Sequence, residues 1–123
     1  MDSFSVFFRD KISEDEIRTA IRATGASASS RSPGEIVVSR ETAHLWVDLY
    51  SPADLPSRQD WAIPKHDVGC VLYVAVSRDD ASSALAVDVA HQLSSQLEGI
   101  ISWDGNEYWR NLYDKAYQGD SKS

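Results

Sequence analysis

The pattern of hydrophobic and polar residues along the chain predicts five β-strands. The clearest covers Ala43 to Tyr50, where apolar residues alternate with His44, Trp46, Asp48 and Tyr50. Val68 to Ser77 is apolar at nearly every position, as in a central strand that is covered on both faces. Shorter strands are predicted at Ser3 to Phe8, Glu35 to Ser39 and Ile100 to Trp103.

Three helices are predicted from apolar residues that recur every three or four positions and from the residues at the helix ends. Ser13 and Glu16 have the spacing of a capping box before the first helix, and Gly25 follows its last turn. Asp79 or Asp80 caps a long second helix, which Gly99 closes. The spacing of Asp104 and Glu107 predicts another capping box, before a third helix that runs to about residue 117.

These elements follow the order β-α-β-β-β-α-β-α in one domain over residues 1–123, with a frayed tail at 118–123. Residues 26–34 and 51–66, which are rich in serine or proline, are predicted to be loops. We expect an α+β fold, a two-layer sandwich of a mostly antiparallel sheet of about five strands with helices on one face. The order resembles the ferredoxin-like split βαβ plan with one added strand and a C-terminal helix.

The charge of the chain narrows the classes of partner. Lysine and arginine number 12 against 19 aspartates and glutamates, and the net charge of −7 argues against nucleic acid as the main ligand. No apolar run approaches the ~20 residues of a membrane helix. The single cysteine, Cys70, leaves no intramolecular disulfide and fits a reducing compartment. Because the first residues also show no targeting pattern, we expect a cytoplasmic protein that has neither a membrane nor a nucleic acid as partner.

One face of the predicted sheet carries aromatic and polar side chains. If the apolar residues of Ala43 to Tyr50 point toward the helices, then His44, Trp46, Asp48 and Tyr50 lie on the opposite face, together with Tyr73. We expect the C-terminal helix and the proline-rich loop around Trp61 to cover part of this face and to leave an aromatic rim. An uncovered patch of this kind marks an interaction surface.

Acidic residues collect at one end of the predicted sheet. Asp79 and Asp80 follow one strand and Asp104 and Glu107 follow another, so the two turns meet at the same end if these strands are parallel. Helix capping accounts for one carboxylate in each turn and leaves the second one spare. We therefore expect a partner interface that combines these acids with indole rings, the side chains that dominate many interfaces. Its predicted residues are Trp46, Trp61, Asp79, Asp80, Asp104 and Glu107.

No pattern of residues indicates catalysis or metal binding. The three histidines, His44, His66 and His91, have no helical metal-site spacing, and Cys70 has no second cysteine beside it. Cys70 lies in the middle of an apolar strand, a position typical of an inert core thiol. We expect no enzyme activity, no cofactor and no metal.

The segment AHQLSSQLEGIISWDG, residues 90–105, combines a helix, a glycine, a strand and an aspartate turn. This segment resembles the ends of several small immunity-type families, and the size and acidity of the chain are similar to those of bacterial immunity proteins that inhibit polymorphic or contact-dependent toxins. The resemblance implies a protein that binds and neutralises a basic, toxin-like partner. It transfers no individual binding residue.

An alternative reading of the same sheet face is a small-molecule-binding regulatory domain or a small enzyme. Its pocket would be lined by His44, Asp48 and Tyr50. A homodimer that packs its sheet faces together is compatible with either function.

Overall fold

The computed structural model describes residues 2–54, 64, 67–103 and 106–117, and in it six strands form one antiparallel sheet. The strands are β1 Asp2–Phe8, β2 Ser27–Ser32, β3 Glu35–Arg40, β4 Ala43–Tyr50, β5 Cys70–Val76 and β6 Ile100–Ser102. The helices are α1 Glu14–Arg22, α2 Asp80–Leu97 and α3 Glu107–Tyr117, and a 3₁₀ turn covers Pro52–Asp54. The helices pack on the sheet, which confirms the predicted α+β two-layer sandwich.

The order of strands in the sheet is β2-β3-β4-β5-β1-β6. β1 lies between β5 and β6 and runs antiparallel to both. β5 and β6 are therefore parallel to each other, and α2 makes the crossover of a split βαβ unit. The sheet has six strands rather than about five, because a hairpin of β2 and β3 extends it beyond β4.

The additional strand, β2, lies in the segment that the sequence predicts to be a loop, so this prediction is wrong. β2 pairs with β3 along its length, with a register shift after Ser30. Arg22 of α1 donates a hydrogen bond to the Ala28 carbonyl (2.9 Å), and Glu14 accepts hydrogen bonds from Ser30 and from the Gly34 N–H. Polar groups of the neighbouring helix thus hold a strand that has almost no apolar side chains.

The main core lies between the sheet and the helices. Ala43, Leu45 and Val47 of β4 are buried in it, whereas His44 is exposed, so the predicted sidedness of this strand is confirmed. Residues from the other elements complete this core, among them Phe4, Val6, Phe8, Ile17, Ile21, Leu72, Val74, Leu85, Val89 and Leu93.

A smaller cluster on the other side of the sheet contains Phe7, Val68 and Val71. Regular alternation over the predicted strand Val68 to Ser77 would place Val68 on the same side as Cys70. The structure places Val68 in the other cluster, because β5 begins only at Cys70 and the strand alternation does not extend back to Val68.

The C-terminal helix packs with α2 and the core rather than across the second face of the sheet, so the expected cover by this helix is wrong. The buried indole of Trp109 lies 5.6 Å from the ring of Phe4, and its N–H donates to Ser83 of α2 (3.2 Å). Trp103 lies 5.0 Å from Phe4, measured between ring centroids. Burial of the indole and its hydrogen bond together favour this position of α3.

The predicted start of α1 is confirmed, and the ends of α2 are confirmed in part. Ser13 accepts a hydrogen bond from the Glu16 N–H (3.2 Å), and Glu16 accepts one from the Ser13 N–H (2.9 Å). Asp79, not Asp80, caps α2. At the other end of α2 the left-handed residue is Glu98 (φ 58°), so Gly99 does not close the helix by its conformation.

The predicted capping box of α3 is wrong. The helix begins at Glu107, which is therefore its first residue and not its third. Asn106 takes the capping position, where its side-chain oxygen accepts a hydrogen bond from the Trp109 N–H (3.1 Å). Asp104 lies outside the described residues.

Candidate functional site

We use the name open face for the side of the sheet that points away from the helices. On β4 it carries His44, which is exposed, and Trp46, Asp48 and Tyr50, which are half-buried. β5 adds Tyr73, whose side chain is 38% exposed. This face therefore presents a line of aromatic and polar groups that none of the three helices packs against.

Two carboxylates face each other across the open face. Asp48 of β4 is the register partner of Glu35 on β3, and on its other side it is paired with Tyr73 of β5. Burial, and after it the neighbouring Glu35, raises the pKa of Asp48 above its ordinary value. In the part of the chain that the structure describes, neither carboxylate has an ion-pair partner within 4.0 Å.

Two tyrosines flank this carboxylate pair. Burial, followed by the charges of Asp48 and Glu35, raises the pKa of Tyr50. The hydroxyl of Tyr73 lies 2.6 Å from that of Ser3 on β1. The phenol of Tyr50 therefore stays protonated at neutral pH, and both tyrosines present an aromatic ring beside negative charge.

A groove of about 210 Å³ lies over the β3–β4 part of the open face. Its lining includes Glu35 and Asp48, the indole of Trp46 and the exposed side chain of Arg31. Of the predicted alternative pocket it contains Asp48, whereas His44 and Tyr50 lie on the same face outside this lining. Its volume is below the ~300–1,000 Å³ of most small-molecule sites.

The acidic end of the sheet has a second, smaller depression. About 250 Å³ is lined by Asp79, Asp80, Tyr108 and the edge of the buried Trp109, together with Arg78. The two turns meet there because β5 and β6 run in the same direction. Trp109 is only 2% exposed, so it belongs to the core and not to an exposed aromatic rim.

The two aspartates before α2 have different roles. Asp79 accepts hydrogen bonds from the Ser82 N–H (2.7 Å) and the Ser82 hydroxyl (2.9 Å), and these bonds hold the pKa of Asp79 below its ordinary value. Asp80 is exposed in the first turn of α2, and Glu107 is exposed at the start of α3. Asp80 and Glu107 are therefore the carboxylates of this end that have no capping role.

His44 connects the open face to the acidic end. Its ring centroid lies 6.4 Å from that of Trp46. The hydrogen bonds from Ser82 are the main cause of the lowered pKa of Asp79, and the nearby imidazole of His44 is a minor one. The backbone N–H of His44 donates to the Ser82 hydroxyl (2.9 Å). Two of the predicted interface residues, Trp46 and Asp79, thus both interact with His44, whereas Trp61 and Asp104 lie outside the described residues.

A further groove of about 420 Å³ lies between α1 and α2 and has Asp15 and Glu16 on its rim. These two acids already have partners, because Asp15 pairs with Arg18 and Glu16 completes the capping box of α1. Asp48 and Glu35 of the open face have no ion-pair partner among the described residues and lie beside aromatic rings, which is why the open face is the stronger candidate site.

The other chemically reactive side chains have structural surroundings. Burial raises the pKa of the Cys70 thiol, which donates to the Asp10 carbonyl (3.5 Å). The ring of His91 is stacked on Tyr117 at 3.8 Å, whereas His66 lies outside the described residues. Within those residues no three His, Cys, Asp or Glu side chains are grouped so that they could hold a metal ion.

Glu35 is the site residue that the sequence analysis does not identify. The information needed to find it is in the hairpin between β3 and β4, where Arg40 pairs with Ala43 across a two-residue turn. Five residues further from the turn on each strand, Glu35 lies opposite Asp48. No comparable pattern points to Arg31, because it belongs to β2, which the sequence predicts to be a loop.

Comparison of the chain with protein-family models, with curated proteins and with solved structures finds no match. Among the described residues, no helix has both the length and the apolar character needed to cross a membrane.

Proposed function

We propose that this chain is a small acidic binding protein that docks onto a basic protein partner, and that it acts as an immunity protein that neutralises a cognate toxin. The observation that carries the proposal is the open face, where Trp46, Tyr50 and Tyr73 lie beside Asp48 and Glu35, two carboxylates that have no ion-pair partner in the part of the chain that the structure describes. Aromatic anchors beside negative charge are the features that a cationic protein surface would recognise.

The shape of this surface favours a protein partner over a small molecule. The groove on the open face is small, with about 210 Å³, and aromatic and polar side chains continue beside it along β4 to His44. A small-molecule site is instead concave and encloses most of its ligand. A long strip of rings and carboxylates offers many separate contacts to a complementary surface.

The acidic end supplies the second part of the proposed interface. Asp80 and Glu107 are exposed, and with the net charge of −7 they would attract a cationic partner during diffusional encounter. Charges at the rim of an interface act mainly on the association rate and on its salt dependence.

The proposal is tested by reversing the two spare carboxylates, Asp80→Lys with Glu107→Lys. Asp79 is left intact because its substitution would also remove the cap of α2. The matched control is Asp10→Lys with Glu98→Lys, which changes the net charge equally at exposed positions near the opposite ends of the strands.

Basic proteins captured from a lysate of the source cells are identified first. Their association rates are then measured against salt concentration, and each is co-expressed with this chain in a growth assay. We expect one basic protein to arrest growth when it is expressed alone and not when it is co-expressed with this chain. Its association with this chain should be slowed by Asp80→Lys with Glu107→Lys and unchanged by the control variant. Equal rates for the two double variants, or no rescue of growth, would contradict the proposal.

A further inference from the structure

The geometry points to an arginine side chain of the partner as the group that the open face receives, with its guanidinium between Asp48 and Glu35 and beside the indole of Trp46. This inference rests on the proposed function, because it takes the occupant to be a basic protein. It adds the identity of the recognised group and the residues that recognise it.

The two carboxylates are placed for one shared cation. Asp48 and Glu35 are directly opposed on neighbouring antiparallel strands, so their Cβ atoms are about 5 Å apart. A guanidinium has five N–H donors in a planar fork and can donate to two carboxylates at once. A groove of about 210 Å³ has room for one side chain and not for a cofactor.

Arginine suits this face better than lysine. Trp46 lines the groove with both acids, and a guanidinium stacks on an indole while it pairs with carboxylates. Asp48 is half-buried, so its partner must give up water, and a guanidinium is more weakly hydrated than an ammonium group. Both properties favour the planar cation.

The arrangement costs stability in the free protein. Two like charges that face each other across a strand pair repel, and no described cation neutralises them. Arg31 lines the same groove but makes no ion pair within 4.0 Å with either acid. A protein is expected to keep two such opposed carboxylates where a partner supplies the positive charge that neutralises them.

The experiment uses the intact chain and three short peptides that differ only in one residue, arginine, lysine or neutral citrulline. Binding is followed by NMR at the Trp46 indole and at the backbone amides of β3 and β4. We expect the arginine peptide to bind most tightly and the citrulline peptide to leave these signals unshifted. Asp48→Asn and Glu35→Gln should each weaken binding of the arginine peptide roughly tenfold.

Two further variants test the charge balance. Arg31→Ala should strengthen binding because it removes a competing cation from the groove. Asp10→Asn is the control at an exposed carboxylate beyond the end of β1 and outside the groove, and it should leave binding of the peptide unchanged. Asp48→Asn should also raise the melting temperature by removing the repulsion. A lower melting temperature for Asp48→Asn would show a structural role for this carboxylate and would overturn the inference.

The results separate this inference from the proposed function. If the basic partner is captured and neutralised while Asp48→Asn and Glu35→Gln leave its affinity unchanged, the docking function stands and the arginine assignment fails. If the lysine and arginine peptides bind equally, the assignment to a guanidinium fails as well. Binding of the arginine peptide to the groove without any growth-arresting basic partner would support the site and overturn the immunity function.

Discussion

At the scale of single residues, neighbouring identical side chains have unlike roles. Asp79 and Asp80 are adjacent in the chain, yet the first holds the start of α2 through two hydrogen bonds to Ser82 and the second is exposed without a capping role. A sequence pattern locates the helix start to within one residue, but the side-chain geometry decides which aspartate is free. Function can therefore be tested at Asp80 without loss of the helix cap.

Gly99 is required by close packing. A Cβ atom at this position would lie 2.5 Å from Val6 Cγ1, 2.9 Å from Phe8 Cε1 and 3.1 Å from the Leu93 carbonyl oxygen. We expect Gly99→Ala to lower the free energy of unfolding by about 1–3 kcal/mol through overpacking, as measured by urea denaturation. If the contact with Val6 is the cause, Val6→Ala should recover part of this loss, so that the two changes are less than additive.

Gly25→Ala is the matched control. Gly25 has a φ of +87° and nothing within 4 Å of the added Cβ, so only the backbone conformation resists alanine there. Its cost of roughly 1–2 kcal/mol should add to that of Val6→Ala without coupling. The same coupling at both glycines would contradict the packing explanation.

At the scale of elements, the helices and the apolar strands follow directly from periodicity and capping residues, whereas β2 does not. Ser27–Ser32 has a single buried residue, so no hydrophobic alternation marks it as a strand. The stabilising partners of β2 lie on β3 and on α1, at positions that only the folded chain brings near. Local patterns cannot reveal a strand whose hydrogen bonds depend on tertiary contacts.

Substitution of Glu14 tests whether polar contacts from α1 stabilise β2. Its carboxylate accepts hydrogen bonds from Ser30 and from the Gly34 N–H (3.0 Å), and the pKa of Glu14 is lowered, chiefly by Ser30. We expect Glu14→Ala to speed hydrogen exchange at the amides of β2 while those of β4 and β5 keep their protection, as measured by NMR. Glu107→Ala removes the exposed carboxylate at the first residue of another helix, α3, and should leave β2 unaffected.

The same carboxylate gives β2 a pH dependence. Because the pKa of Glu14 is lower in the folded state, its contribution is present above the ordinary value of 4.5 and is lost as the pH falls through the folded value. Protection of β2 should therefore decline in acid in the wild type and decline less in Glu14→Ala. Identical acid profiles would show that Glu14 does not hold this strand.

At the scale of the whole molecule, one polar network joins the sheet to both later helices. Arg40 of β3 pairs with Asp88 of α2 (2.9 Å), and Asp88 accepts a hydrogen bond from Tyr117 of α3. The ring of Tyr117 is stacked on His91 of α2 with an angle of 4° between the ring planes. The last turn of α3 is thus fixed by charge and stacking as well as by its buried Trp109.

This network predicts the response of the fold to alkali. Burial and then the Asp88 carboxylate raise the pKa of Tyr117 from 10.0 to about 12. The folded state therefore favours the protonated phenol, so this stabilisation is present below pH 10 and is lost as the pH rises toward 12. We expect Tyr117→Phe to reduce the decline in unfolding free energy over this range, as measured by urea denaturation at each pH.

Two comparisons isolate the effect of Tyr117. Tyr108→Phe changes an exposed tyrosine (53% exposed) of the same helix and should leave the alkaline profile as in the wild type. Burial also raises the pKa of Tyr50 and of Tyr113, so Tyr117→Phe should remove a part of the alkaline decline and not all of it. An unchanged profile for Tyr117→Phe would contradict its role.

The candidate site is predictable from the sequence in part. The alternation along Ala43 to Tyr50 places Trp46, Asp48 and Tyr50 on the face away from the helices, and the structure agrees. The pairing of Asp48 with Glu35 depends on hairpin register, and the accessibility of the face depends on where α3 packs. Strand register and helix placement depend on contacts between residues that are far apart in the sequence, and a local sequence pattern carries no information on such contacts.

The central place of β1 in the sheet has a consequence for biosynthesis. Its neighbours come much later in the chain: Phe8 pairs with Cys70, and Phe7 pairs with Ile100. During translation β1 therefore has both edges unpaired until β5 and β6, more than 60 residues further along the chain, have left the ribosome. In that interval the unpaired aromatic strand is exposed to aggregation and to chaperones.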